Sequence, residues 1–85
     1  MGYSLKPMDL WSMAKKQRAC CGITGRRLKG QVLSIDHIIP KSKGGSNDKS
    51  NLRLAILDAN MAKRNKTDDE FIQLCKEVIN SNNII

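Results

Sequence analysis

The sequence predicts an α+β fold: one small domain in which a β-hairpin and a short following helix are flanked by an N-terminal and a C-terminal helix. Three observations carry this. Apolar residues recur at helical spacing after Asp9 and again after Thr67. Between them QVLSIDHI alternates apolar and polar like a half-buried strand, and the run stops at Pro40, which cannot donate to a ladder. Finally, 85 residues are enough for one core, and no repeat, linker or second domain interrupts positions 1–85.

Residues 1–7 read as a loose arm ending at Pro7. Asp9 is then placed to cap a helix from Leu10 to Arg18, with Leu10, Met13 and Ala14 inward and Lys15, Lys16 and Arg18 outward. ACCGITGRRLKG, broken by three glycines, reads as turns leading into the hairpin. After the first strand, KSKGGSNDKS forms a long loop, and a second strand from Leu52 to Ala55 brings Asn51 back towards His37. A helix from Leu57 to Asn65 sets Asn60, Lys63 and Arg64 at neighbouring positions. Thr67 and Glu70 have the spacing of a capping box and start a last helix over 67–80. Its stripe of Phe71, Leu74, Cys75 and Val78 is expected to pack back on another helix or, alternatively, to meet a partner. The SNNII tail reads as frayed.

Composition narrows the partners. Fifteen Lys and Arg against eight Asp and Glu give a net charge of +7, which favours a polyanion through counterion release. The aromatic residues are limited to Tyr3, Trp11 and Phe71, too few for a base-stacking platform, so duplex DNA is the better expectation than single strands. No apolar run approaches the ~20 residues of a membrane span, and MGYSLKPMDLW lacks the form of a secretory signal. Three cysteines, two of them adjacent, make a poor disulfide framework, and an intracellular setting follows as the expectation.

Residues 34–66 concentrate the chemistry. The single histidine, His37, is a candidate general base. Asp36 offers carboxylate oxygen and Asn60 amide oxygen, hard donors that suit one Mg²⁺ or Mn²⁺ while leaving positions for water and a phosphate. Lys41, Lys43, Lys63 and Arg64 lie around this set, with Lys15, Lys16, Arg26 and Arg27 as further candidate phosphate contacts. Such groups suit hydrolysis of a phosphodiester, and a neutral His37 is required for it, so acid should suppress the reaction.

The string DHIIPKSKGGSNDKSNLRL, followed by Asn60, Lys63 and Asn65, resembles the ββα-metal motif of the HNH endonuclease family. The resemblance implies that His37 activates water, Asp36 binds the metal and Asn51 orients His37 by fixing the loop. Asn60 takes the last motif position, where many members carry histidine, giving an HNN version. The activity implied is metal-dependent DNA endonuclease or nickase, with weak sequence preference because no separate recognition helix is evident. Many members also carry two CxxC pairs that hold zinc. Here Thr24 follows Cys21 at the matching place, and Ile56 and Ala59 replace the other pair, so structural zinc is not expected. Apolar packing of Ile56 and Ala59 with Leu54, Leu57 and Ile38 would take over, leaving Cys20, Cys21 and Cys75 as buried or half-buried thiols. Two rival readings stay open: a basic DNA-binding module that assists a partner nuclease without cutting, and a toxin-like nuclease that also attacks RNA. Small free-standing chains of this kind resemble those of phages and mobile elements, where a homodimer or a larger assembly is expected.

Overall fold

A computed structural model describes residues 5–82. Most of the arm and the end of the tail, residues 1–4 and 83–85, lie outside the described residues. The order is α1 (Pro7–Lys16), β1 (Leu33–His37), β2 (Leu52–Ile56), α2 (Leu57–Lys63) and α3 (Asp68–Ser81), with single 3₁₀ turns at Lys41–Lys43 and Lys49–Asn51. This is the α+β arrangement of helix, hairpin and helices.

α1 begins earlier than the position of Asp9 suggests. Pro7 occupies the first turn, where its fixed φ is already helical and its missing N–H costs nothing. Asp9 therefore sits one turn in, accepting from Lys6 N at 2.9 Å and pairing with Lys49 at 2.8 Å. The Lys49 contact, with the Lys6 amide behind it, holds the Asp9 carboxyl below its ordinary range. Met13 and Ala14 pack on the core, whereas Leu10 stays exposed.

β1 and β2 pair antiparallel, with Leu33 opposite Ile56, Ile35 opposite Leu54 and Asp36 opposite Arg53. A two-stranded sheet leaves β2 an open outer edge, and side chains close it. The Gln17 amide accepts from Leu54 N at 2.8 Å and donates to Leu54 O at 2.9 Å, imitating a neighbouring strand. Gly22 N reaches the same carbonyl at 3.0 Å. Cys21 Sγ accepts from Ile56 N at 3.3 Å and also from Ile23 N and Thr24 N at 3.4 Å. Burial pushes the Cys21 thiol up, but the Thr24 side chain and these N–H groups outweigh it and hold its pKa below the usual value.

The core beneath this edge is Cys21, Leu28, Leu54, Ala55 and Ile56, with Ile23, Ile35 and Ala59 packed against it. Ile56 thus belongs to the core and Ala59 packs against it, as expected of both. Two expectations need correction: Leu57 is exposed at the start of α2, and Cys75 is exposed on α3. The α3 stripe also differs. Thr67 caps the helix as expected, its Oγ1 accepting from Glu70 N at 3.3 Å. Yet no described residue of α3 is buried, and Leu74 and Val78 face solvent, while Phe71, Ile72, Cys75 and Ile79 line a shallow apolar groove over Ile23 and Ala59. Among the described residues, no helix is long and apolar enough to cross a membrane.

Candidate active site

Strand β1 delivers two adjacent residues to the site, and its geometry starts with the loop that follows. Asn51 binds that loop from its far end: its Oδ1 accepts from Ile39 N at 2.8 Å, and its Nδ2 donates to Ile39 O at 3.0 Å and to Ser46 O at 2.9 Å. Two glycines make the approach possible. Gly44 adopts φ +90°, and a β-carbon on Gly45 would lie 1.7 Å from Ile39 O. The loop so folded carries Asn47 to the imidazole, with Asn47 Oδ1 2.8 Å from His37 Nε2. An amide oxygen only accepts, so in this contact Nε2 is the donor.

Asp36 has a different setting. Only 2 % exposed, its carboxylate meets Lys63 Nζ at 3.0 Å from each oxygen and Arg53 Nε at 2.7 Å. Lys63 is wholly buried and also donates to His37 O at 3.1 Å and Ile38 O at 3.2 Å. The Arg53 fork continues to Asp68 at 2.6 and 3.1 Å, tying the start of α3 to the hairpin. Burial works against charge at both partners, but the Asp68 contact and Asp36 raise the Arg53 guanidinium above its ordinary value. Burial likewise opposes ionisation of Asp68, yet Arg53, with Lys63 behind it, holds that carboxyl below its usual range.

Asn60 projects from α2 back to β1, donating through Nδ2 to Ser34 Oγ at 2.9 Å and Ile35 O at 3.1 Å. Those two bonds fix the amide, and no described residue donates to its Oδ1. His37 and Asn60 line one small cleft of about 190 Å³ with Lys41, Arg64 and Asn65. The larger hollows elsewhere, among them the α3 groove, are lined mainly by apolar surface.

Of the basic residues expected at DNA, Lys41 and Arg64 are exposed and line the cleft. Lys43 donates to Asn65 O at 2.7 Å and pairs with Glu70 at 3.4 Å. Lys15, Lys16, Arg26 and Arg27 are exposed on α1 and the turn beyond it, away from the cleft lining, with Lys15 6.0 Å from the Trp11 ring centre. Lys63 is a correction: a fully buried ammonium enclosed by Asp36 and two carbonyls does not reach a DNA phosphate.

Sequence reasoning missed Asn47, Arg53 and Asp68. Arg53 was within reach, because the hairpin register sets it opposite Asp36. Asn47 lies in a loop whose folding depends on the Asn51 bonds, and no local pattern marks it.

The hairpin β1–β2 followed by α2, with Asp36, His37, Asn51 and Asn60 on it, defines a ββα domain. The HNH endonuclease family model matches residues 19–66, more than half of the chain, and the chain belongs to that family. Its members are generally endonucleases acting on DNA with a divalent metal. No curated protein matches the chain.

Proposed function

We propose that this chain is a metal-dependent DNA endonuclease or nickase with His37 as general base. The observation carrying this reading is the placement of His37, hydrogen-bonded to Asn47, in a cleft shared with Asn60, Lys41 and Arg64. The imidazole of His37 takes a proton from water, which attacks phosphorus as the bond to the 3′ oxygen breaks. Asn51 keeps the loop folded, and with it the acceptor that orients the ring.

The donors fit a hard divalent ion by chemistry. Asn60 Oδ1 is set by its anchored amide nitrogen, and Asp36 Oδ1 receives one ammonium contact and retains a lone pair. Mg²⁺ or Mn²⁺ held there would polarise the phosphate and offset charge on the leaving oxygen. Duplex DNA is the substrate, read with weak sequence preference, since the exposed cations of the cleft suit phosphates and no element is reserved for base edges.

A second reading has its own support. Lys63 and Arg53 already neutralise Asp36, which favours a module that binds DNA and leaves cutting to a partner. Supercoiled plasmid incubated with Mg²⁺, Mn²⁺, Zn²⁺ or EDTA separates the two. Open circles or linear product that vanish with EDTA and in His37→Ala and Asn60→Ala support the nuclease. Uncut plasmid in every lane, with a mobility shift on DNA, supports the binding module. The ratio of open circles to linear product reads nicking against double-strand cleavage.

A further inference from the structure

Three described non-glycine residues have positive φ, Arg18, Ala19 and Arg64, and of these Arg64 lines the cleft. α2 ends at Lys63, whose ammonium is pinned under Asp36, and the chain must then turn within a few residues to reach Thr67, the cap of α3. Arg64 makes that turn at φ 52°, ψ −121°, with its N–H bonded to Asn60 O at 3.0 Å. The combination lies outside even the small left-handed helical region, and only glycine adopts it without cost. A fold optimised for stability would place glycine here.

What the position gains is a guanidinium in the cleft. Arg64 lines it together with His37 and Asn60, and also lines the adjoining hollow with Asn60, Met61 and Asn65. Its side chain is exposed, and no described residue accepts a hydrogen bond from it. Two other cations at Asp36, Lys63 and Arg53, are bonded to carboxylates, and Arg64 shares the cleft with the exposed Lys41. A strained backbone at a site is the expected signature of a side chain retained for function.

We propose that Arg64 is a phosphate clamp, held in a glycine geometry so that its fork engages the non-bridging oxygens of the scissile phosphate beside His37 and Asn60. The planar guanidinium presents two parallel N–H donors to such oxygens and stabilises charge that grows in the transition state. The inference rests on the nuclease reading for its catalytic part and on the cleft alone for its phosphate contact.

The test compares wild type, Arg64→Gly and Arg64→Lys in melting temperature, single-turnover cleavage and duplex affinity with Ca²⁺ in place of Mg²⁺. Arg64→Gly is expected to melt higher by roughly 3 °C or more, since the strain is relieved. Its cleavage rate is expected to fall at least about tenfold, and further than its affinity does. Arg64→Lys, which keeps the charge and loses the fork, should fall in between. In parallel, the Arg64 Nε–H NMR signal, assigned by its disappearance in Arg64→Lys, should shift when a short duplex is added. A lower melting temperature for Arg64→Gly overturns the strain argument, and wild-type cleavage by that variant overturns the clamp. An Arg64 signal unmoved by duplex also overturns it. If wild type does not cut while the signal shifts, the nuclease reading falls and the phosphate contact stands.

Discussion

The two flanks of strand β2 solve the same problem with different chemistry. On its outer edge, neutral groups close the backbone: the Gln17 amide on Leu54 and the Cys21 sulfur on Ile56, over an aliphatic core. On the side of β1 and α2, charge does the work, with Asp36, Lys63, Arg53 and Asp68 linked in one chain of ion pairs. The neutral flank ties β2 to the segment from Gln17 to Thr24 over the aliphatic core. The charged flank holds a carboxylate and a helix in place next to the cleft. Of the two flanks, the charged one should therefore carry the stability that is lost in acid.

The largest effect should come from Lys63→Ala, which leaves Asp36 buried with one cation fewer. Breaking a buried pair costs about 3–5 kcal/mol, comparable to the whole stability of so small a domain, and urea titration should find it largely unfolded. A loss below about 1 kcal/mol would mean that the charged flank contributes little. Next, Gln17→Ala removes three hydrogen bonds to the backbone and should cost roughly 1–3 kcal/mol in the same titration while leaving cleavage by the folded fraction unchanged. Reduced specific activity in that variant would show that the flanks are not independent.

Within the site, Asn47→Ala should slow cleavage roughly tenfold with little change in melting temperature, because the imidazole loses its contact with the Asn47 side chain. Asn47→Asp, which restores an oxygen opposite Nε2, should recover part of the rate. The nitrogen shifts of the single histidine read the tautomer directly, and an unchanged His37 spectrum in Asn47→Ala would remove Asn47 from the orienting role. The smallest effect concerns pH. Asp68 has a folded pKa below its unfolded one, so its contribution is present above about pH 4 and is lost as pH falls through the folded value. Asp68→Asn should flatten the acid limb of stability against pH, and an identical limb in the variant would place the acid sensitivity elsewhere.

Much of this was legible beforehand because it is local. Alternation and Pro40 marked the hairpin, the Thr67–Glu70 spacing marked the start of α3, and the string from Asp36 to Asn60 marked the family. What escaped depended on contacts between distant segments. Lys63 reads as a solvent-facing helix residue until Asp36, 27 positions away, is brought against it. The α3 stripe has the periodicity of a packed helix, but the domain offers it only the Ile23 and Ala59 groove, so half of that stripe stays outside. Arg64 was recognisable as basic, whereas its backbone conformation is set by how α2 and α3 are each pinned.

The buried ammonium of Lys63 separates two needs that many small metal-using domains meet with one ion. Because the positive charge that Asp36 requires is part of the chain, the architecture is complete before any divalent ion arrives. Removing divalent ions should then affect the metal-dependent chemistry proposed above and leave the folded fraction as it was.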